Sequence, residues 1–297
     1  MTLATANGLD LAYDSFGSEA ESAILLIAGL GVQRLRWPDP FCAALAGQGF
    51  RVIRFDNRDA GGSTHLGHHP PPDLGALVAA LRAGQRPEVP YTLLDMAADA
   101  VGLLDALAIP RVHVVGLSMG GMIAQIMASE HPGRVLSLTS IMSGTGNPAL
   151  PQAEPDVVAL MMRPAPDPGR DEAGFLAHSL AFARRIAGPG HPVDEAVHRR
   201  LVLEEAKRSH DPAGAGRQLA AMVVAGDRRA RLATIGVPAL VIHGACDPLI
   251  PPACGADTAA AIPGAEFLLI DGMGHHLPAS LHERVVDAIV RVARSGR

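Results

Sequence analysis

Aromatic side chains make up only 3% of this 297-residue chain: one Trp, two Tyr and seven Phe. That leaves little surface for stacking on a flat polycyclic ligand. Cysteine is scarce too, and Cys42, Cys246 and Cys254 form neither a metal-type C-x-x-C pair nor the even set of a disulfide framework. They are expected to be reduced thiols. With no cluster of Lys or Arg and a net charge of -5, nothing offers a grip to a nucleic-acid backbone or an anionic membrane. No apolar run reaches the roughly 20 residues that span a bilayer. The first residues, MTLATANGLDLAYDSFG, also lack a basic segment followed by an apolar one. The expected location is the cytoplasm, without membrane or nucleic-acid partners; the oligomeric state is left open.

What the chain does have is apolar content, 48% of its residues, enough for one large α/β core or two small domains. Residues 7–16 alternate polar and apolar up to Gly17, as a half-exposed first strand does. AILLIA at 23–28 has the length and continuity of a strand buried on both faces, and it ends in Gly29-Leu30-Gly31. A helix over 40–46 and a second buried strand over 51–55 follow, an order that implies a parallel sheet. That strand empties into Asp56-Asn57-Arg58-Asp59-Ala60-Gly61-Gly62-Ser63.

From 65 to 90 the composition turns to proline, histidine and glycine around one helical pattern at 74–81, which predicts a surface insertion. Its His65, His68 and His69 lack nearby cysteine or carboxylate ligands and run into three prolines, so they are read as a solvated loop rather than a metal site. Thr92 suits the N-cap of a helix over 93–107, with Asp95, Asp99 and Asp105 on the face opposite the apolar one. A strand at 112–115 and another at 135–141 continue the alternation. Residues 147–230 break it, with helical patterns at 155–162, 172–186, 192–207 and 212–224 and no strand pattern. They are read as a helical cap inserted between two parts of a core, 1–146 and 231–297. Met161, Met162, Phe175, Leu180 and Phe182 then either line a pocket beneath the cap or pack it onto the core. Strands return at 237–242 and 266–270, before an amphipathic helix over 281–294.

The chemistry gathers around HVVGLSMGGMIAQIMA, residues 113–128. A β-branched strand runs through Gly116-Leu117-Ser118-Met119-Gly120 into a proline-free helix, so Ser118 sits on a sharp G-x-S-x-G turn with its hydroxyl pushed out at the sheet rim. A serine hydroxyl is a poor nucleophile without a base and an orienting acid. Asp247, just beyond strand 237–242 and held by Pro248, lies on the same rim of a parallel sheet. No Asp or Glu occurs between Arg134 and Ala153 to compete with it. His275, in a glycine-bounded loop after strand 266–270, can reach both; His276 is the alternative, and His275 is preferred because it follows glycine directly. His243 is read as structural. An oxyanion hole needs two backbone N-H donors, and Met119 at the helix start and Leu30 in the Gly29-Leu30-Gly31 turn meet that need.

Serine, acid and histidine in that order, with DNRD and its following Gly61 and Ser63, GLSMGGMIAQ at 116–125 and GMGHHLP at 272–278, resemble the α/β-hydrolase superfamily over the whole length. Within it they look most like the aclacinomycin methylesterase branch, capped esterases that remove a methyl ester from a polyketide. The resemblance implies a mostly parallel sheet flanked by helices, a helical cap, the triad Ser118, Asp247 and His275, oxyanion donors Leu30 and Met119, and neither cofactor nor metal. The 65–90 insertion is longer than that branch leads one to expect. Gly-Leu-Ser-Met-Gly-Gly also resembles the 3-oxoadipate enol-lactonases.

The expected activity is a serine carboxylesterase acting through an acyl-enzyme on a small-molecule ester, short to medium in chain or a methyl ester. Gly29, Met161, Met162, Phe175, Phe182 and His276 are the expected pocket residues. The same triad also suits lactone opening or cofactor-free perhydrolysis, and a ligand-binding receptor on a hydrolase scaffold is the non-enzyme alternative. Dehalogenase and epoxide-hydrolase chemistry is excluded, because it needs Asp where residue 118 is Ser.

Overall fold

Strands buried on both faces need apolar residues at successive positions, as AILLI has; RVIRF is buried along its whole length too, with its two arginines paired to Glu19 and Asp14. The computed structural model describes residues 2–295. Its strands are β1 (Thr2–Ala6), β2 (Leu9–Phe16), β3 (Ala23–Ile27), β4 (Arg51–Phe55), β5 (Val112–Leu117), β6 (Val135–Ile141), β7 (Ala239–Gly244) and β8 (Glu266–Ile270). They form one sheet in the order β1-β2-β4-β3-β5-β6-β7-β8. β2 pairs antiparallel with β1 and β4, and every other pairing is parallel, as the resemblance implied.

The helices are α1 (Asp39–Gly47), α2 (Leu74–Arg82), α3 (Leu93–Ala106), α4 (Met119–Glu130), α5 (Pro155–Met162), α6 (Glu172–Ile186), α7 (Glu195–Arg208), α8 (Pro212–Ala225), α9 (Arg229–Leu232), α10 (Pro252–Ala261) and α11 (His282–Ser295). Successive strand residues point to opposite faces of a sheet. Leu25 and Ile27 accordingly pack into one apolar cluster with α3 and α4, while Ile24 and Leu26 join α1 and α11 in a second. Among the described residues, no helix is long and apolar enough to cross a membrane.

Three expectations need correcting. The single strand over 7–16 is the second arm of a hairpin, whose turn at Asn7-Gly8 has both residues at positive φ, 52° and 77°. Asn-Gly is the pair that a two-residue hairpin turn favours. Thr92 does cap α3, in a reciprocal capping box with Asp95. Asp99, however, is buried rather than on a polar face, and its carboxylate accepts two 2.6 Å hydrogen bonds from Arg58. Burial raises its pKa despite that partner. α10 lay where no helix was expected, directly after Pro251.

Between β6 and β7 the chain is helical, α5 to α9. The carboxyl ends of β3, β5, β7 and β8 open onto one rim, where ligands of open parallel sheets bind.

Candidate active site

Ser118 joins β5 to α4 with φ 56° and ψ -119°, a conformation costing about 1–3 kcal/mol in a non-glycine residue. The neighbouring glycines make that turn sterically feasible. A Cβ on Gly116 would lie 2.0 Å from the Gly120 carbonyl oxygen, and one on Gly120 would lie 2.2 Å from that of Ile27. The Ser118 N-H donates to the Ile141 carbonyl at 2.9 Å, and its own carbonyl accepts from Gly121 at 2.9 Å. The strain is therefore borne by ordinary sheet and helix bonds on both sides.

Asp247 and His275 complete a continuous line of hydrogen bonds. His275 Nε2 is 3.0 Å from Ser118 Oγ, and His275 Nδ1 is 2.7 Å from Asp247 Oδ2. Asp247 Oδ1 accepts the N-H groups of Leu249 and Ile250, each at 2.9 Å. Burial by itself would raise the Asp247 pKa; the His275 imidazole, the hydrogen bonds from His243 and His275 and the Ile250 amide outweigh it and hold the carboxyl well below the usual range. His243 is fully buried, with Nε2 at 2.8 Å from the Ile250 carbonyl and 3.5 Å from Asp247 Oδ2. It braces the turn that carries the acid.

The turn after β3 lies against the serine. A Cβ on Gly29 would meet Leu117 O at 3.3 Å and Ser118 Cβ at 3.4 Å. Among the described residues, neither the Leu30 nor the Met119 amide donates to a turn, loop or cap acceptor. A first-turn amide such as that of Met119 has no partner within its helix. Two groups of side chains hold this turn. Asn57 Nδ2 donates to the Ala28 carbonyl at 3.1 Å, and the Gly31 N-H donates to Gln218 Oε1 at 2.8 Å. Gln218, on α8, in turn donates to the Arg58 carbonyl at 2.7 Å.

Asp56 and Asp59 supply buried charge that ties the helices between β6 and β7 to the sheet, while the charge of Arg58 is paired with Asp99 of α3. Asp56 accepts Arg34, whose N-H lies 2.7 Å away, and Arg208 of α7 at 2.8 Å. Asp59 takes Arg217 of α8 through both oxygens, at 2.7 and 2.8 Å, together with the Tyr91 hydroxyl at 2.6 Å. These bonds outweigh burial and lower the Asp59 pKa. Asn57, Gln218, Arg208, Arg217 and Tyr91 were not foreseen as site residues; the only signal was the charged DNRD run at the end of a buried strand. His65 bonds Asp211 at 2.8 Å, whereas His68 and His69 stack on each other with ring centroids 4.2 Å apart. Asp59, His65 and Asp211 bring their ligand atoms within 4.8 Å of one another. The Arg217 guanidinium already donates to both carboxylates of that group, so the charge a cation would satisfy is taken.

A cavity of about 280 Å³ lies between these helices and the turn after β3, with Gly31, Gln33 and Arg36 on one wall and α5 to α8 on the others. Met161, Phe175 and Phe182 line it as expected. Met162 does not: it is 48% exposed, because successive residues of a helix point about 100° apart and α5 turns Met161 inward. Leu180 is buried and packs away from the cavity. Gly29 lies against Ser118 rather than in the cavity wall, and His276 is not in the wall either. His276 sits beside the Ala187 carbonyl outside hydrogen-bond geometry, and burial pushes its pKa down to about 4. Its neighbour His275, not His276, reaches Ser118.

The profile described as alpha/beta hydrolase fold matches residues 22–279. The rhodomycin D methylesterase DauP of Streptomyces sp. strain C5 is 32% identical over 98% of this chain and 97% of its own. A putative carbamate hydrolase, RutD of Variovorax paradoxus, is 30% identical over 97% of this chain and 99% of its own. Among solved structures, the enol-lactonase of Burkholderia xenovorans LB400 superposes with a TM-score of 0.68 at 26% identity, covering 99% of each chain. Fold, matched profile and full-length relatives agree: the chain belongs to the α/β-hydrolase fold family.

Proposed function

We propose that this chain is a serine hydrolase of carboxylic esters. The observation that carries the reading is the unbroken line from Asp247 through His275 to Ser118, 2.7 and 3.0 Å, ending on a serine in a strained turn. Ser118 Oγ bonds to the ester carbonyl carbon as its proton passes to His275 Nε2. Asp247 holds the imidazole in the tautomer that can accept that proton and stabilises the resulting imidazolium. The Leu30 and Met119 N-H groups face the developing oxyanion, each contributing roughly 3 kcal/mol. The carbon-oxygen bond to the alcohol then breaks, and His275 returns the proton to the departing oxygen. Water repeats the sequence on the acyl-serine and releases the acid. Every proton is carried by Ser118, His275, substrate or water, so the scheme needs no cofactor or metal.

Residues 147–230 serve as a cap in this reading, and the cavity beneath them receives the substrate. Its wall does not include Ser118 or His275, so the reacting bond lies outside it; at about 280 Å³, near the lower end of ligand pockets, about 300–1,000 Å³, it suits the short to medium chain of an ester. The methylesterase relatives support ester chemistry. The likeness to an enol-lactonase favours a second reading, in which the same residues open a lactone. Hydrolysis of p-nitrophenyl esters from acetate to palmitate, with Ser118→Ala as control, tests the proposal. Activity at short or medium chain lengths that the substitution abolishes is expected; undiminished activity in the variant refutes the serine mechanism.

A further inference from the structure

The loop that carries His275 is bonded, main chain to main chain, to the end of a helix of the cap. The Gly274 N-H donates to the Ala187 carbonyl at 2.8 Å, and the His275 N-H to the Ile186 carbonyl at 2.6 Å. Three residues beyond Ala187, the Gly190 N-H donates to the Gly272 carbonyl at 2.9 Å. Ile186 is the last residue of α6, and the last carbonyls of a helix have no partner within it. Here the base-bearing loop supplies the donors they lack.

Glycine makes this approach feasible from both sides. A Cβ on Gly188 would stand 2.5 Å from Gly274 N and 2.7 Å from Gly272 O, and Gly188 itself has φ +81°. A Cβ on Gly274 would stand 2.0 Å from the Ile186 carbonyl oxygen, and one on Gly190 would stand 2.8 Å from Gly272 Cα. All of these neighbours are backbone atoms, which cannot swing aside as a side chain can. Close backbone contact is what glycine permits and any side chain forbids.

We infer that the Ile186–Gly190 turn is the mount of His275, with Gly188 as a positioning residue through which the cap sets the place of the base. This rests on the reading of His275 as the base of Ser118. His275 is anchored by its ring to Asp247 and by its backbone N-H to the Ile186 carbonyl, so two separate parts of the chain hold its side chain and its main chain. α6 also connects that anchor to the cavity: Phe182, in the cavity wall, lies one helical turn before Ile186. A group filling the cavity therefore presses on the element that holds the base. Binding energy from parts of the substrate remote from the reacting bond then reaches the chemical step, and a truncated acyl chain loses kcat as well as affinity.

The test compares Gly188→Ala and Gly190→Ala with Gly264→Ala. Gly264 has a similar φ of +71° but open space where its Cβ would go, so it reproduces the backbone cost of an alanine without the contact. Gly190 has no positive φ, so its variant meets only the contact with Gly272 and keeps the comparison interpretable if Gly188→Ala unfolds. The readouts are thermal midpoint, the rate at which a fluorophosphonate labels Ser118, and kcat and KM separately. A misplacement approaching 1 Å costs on the order of 10²-fold in rate. In Gly188→Ala, kcat and labelling rate are expected to fall together by 10- to 100-fold, with KM within about threefold of wild type. Gly190→Ala is expected to show a smaller loss in the same two quantities, and Gly264→Ala none. Wild-type labelling and kcat in folded Gly188→Ala or Gly190→Ala overturns the inference, as does an equal loss in Gly264→Ala. Failure of the wild-type protein itself to take the label refutes the serine reading on which the inference rests, an outcome distinct from any ranking of the variants.

Discussion

Asp247→Asn isolates the role of the acid, because the two carboxylate oxygens have separate work. Oδ1 accepts the Leu249 and Ile250 amides at 2.9 Å, and the asparagine oxygen can keep both bonds. Turning the amide over would aim its NH2 at two backbone donors, so this orientation is the stable one. Oδ2, which takes the proton-bearing Nδ1 of His275 at 2.7 Å, becomes an NH2 group that can only donate. The imidazole must then accept at Nδ1 and carry its proton on Nε2, which faces Ser118 Oγ at 3.0 Å. In that tautomer it cannot take the serine proton. The analogous change in a Ser-His-Asp protease costs on the order of 10⁴ in kcat, equivalent to about 5.4 kcal/mol of transition-state stabilisation. A loss of that size is expected at pH 7 for p-nitrophenyl ester hydrolysis, with near-wild-type thermal stability because the turn keeps its backbone bonds. A folded Asp247→Asn protein within tenfold of wild-type kcat would show that Asp247 does not set the tautomer of His275.

Three further outcomes follow from buried groups. His198 and His276 have pKa values pushed down to about 4, chiefly by burial, against an ordinary 6.5. The unfolded chain binds protons there first, so the stability they contribute is full above pH 6.5 and is lost as pH falls towards 4. The urea midpoint should drop across that window and drop less in a His198→Gln/His276→Phe variant; a flat midpoint in the native chain contradicts this. Arg217→Met leaves Asp59, which is fully buried, without its bidentate partner and should cost about 3–5 kcal/mol in urea unfolding, and a loss under about 1 kcal/mol would refute the pair's role. Gln218→Leu removes the acceptor of the Gly31 N-H and should lower kcat about tenfold with a modest change in midpoint, whereas unchanged kcat would show that the turn holds its place unaided.

The parts of this molecule that can be read along the chain are those whose determinants are local. Each of Ser118, Asp247 and His275 follows a short apolar strand and sits among glycine or proline, so composition alone places all three at strand ends, where His275 bonds to both of the others. Periodicity marked the buried faces for the same reason. Met161 and Met162 show where that reasoning stops: both are apolar and adjacent, and only the rotation of α5 turns one inward and leaves the other exposed. The clamps between helices and sheet were illegible because their halves lie far apart, Asp56 with Arg208 across 152 positions and Asp59 with Arg217 across 158. Asp99 misled for the same reason, since its helical face reads as solvent-facing until Arg58 is brought to it from another loop. The contact between Gly188 and Gly274 likewise joins two glycine-containing turns, each of which by itself looks like an ordinary chain reversal.

An acyl-enzyme on Ser118 is tested most directly by the mass of the protein during turnover. Quenching a reaction with p-nitrophenyl acetate in acid within its first turnovers, then mapping the digest, should show an acetyl group on the peptide that carries Ser118, absent from Ser118→Ala. It should accumulate further when His275→Ala is used with an ester activated enough to acylate without the base. Steady hydrolysis by the native chain with no acyl group on Ser118 under those conditions would contradict the account.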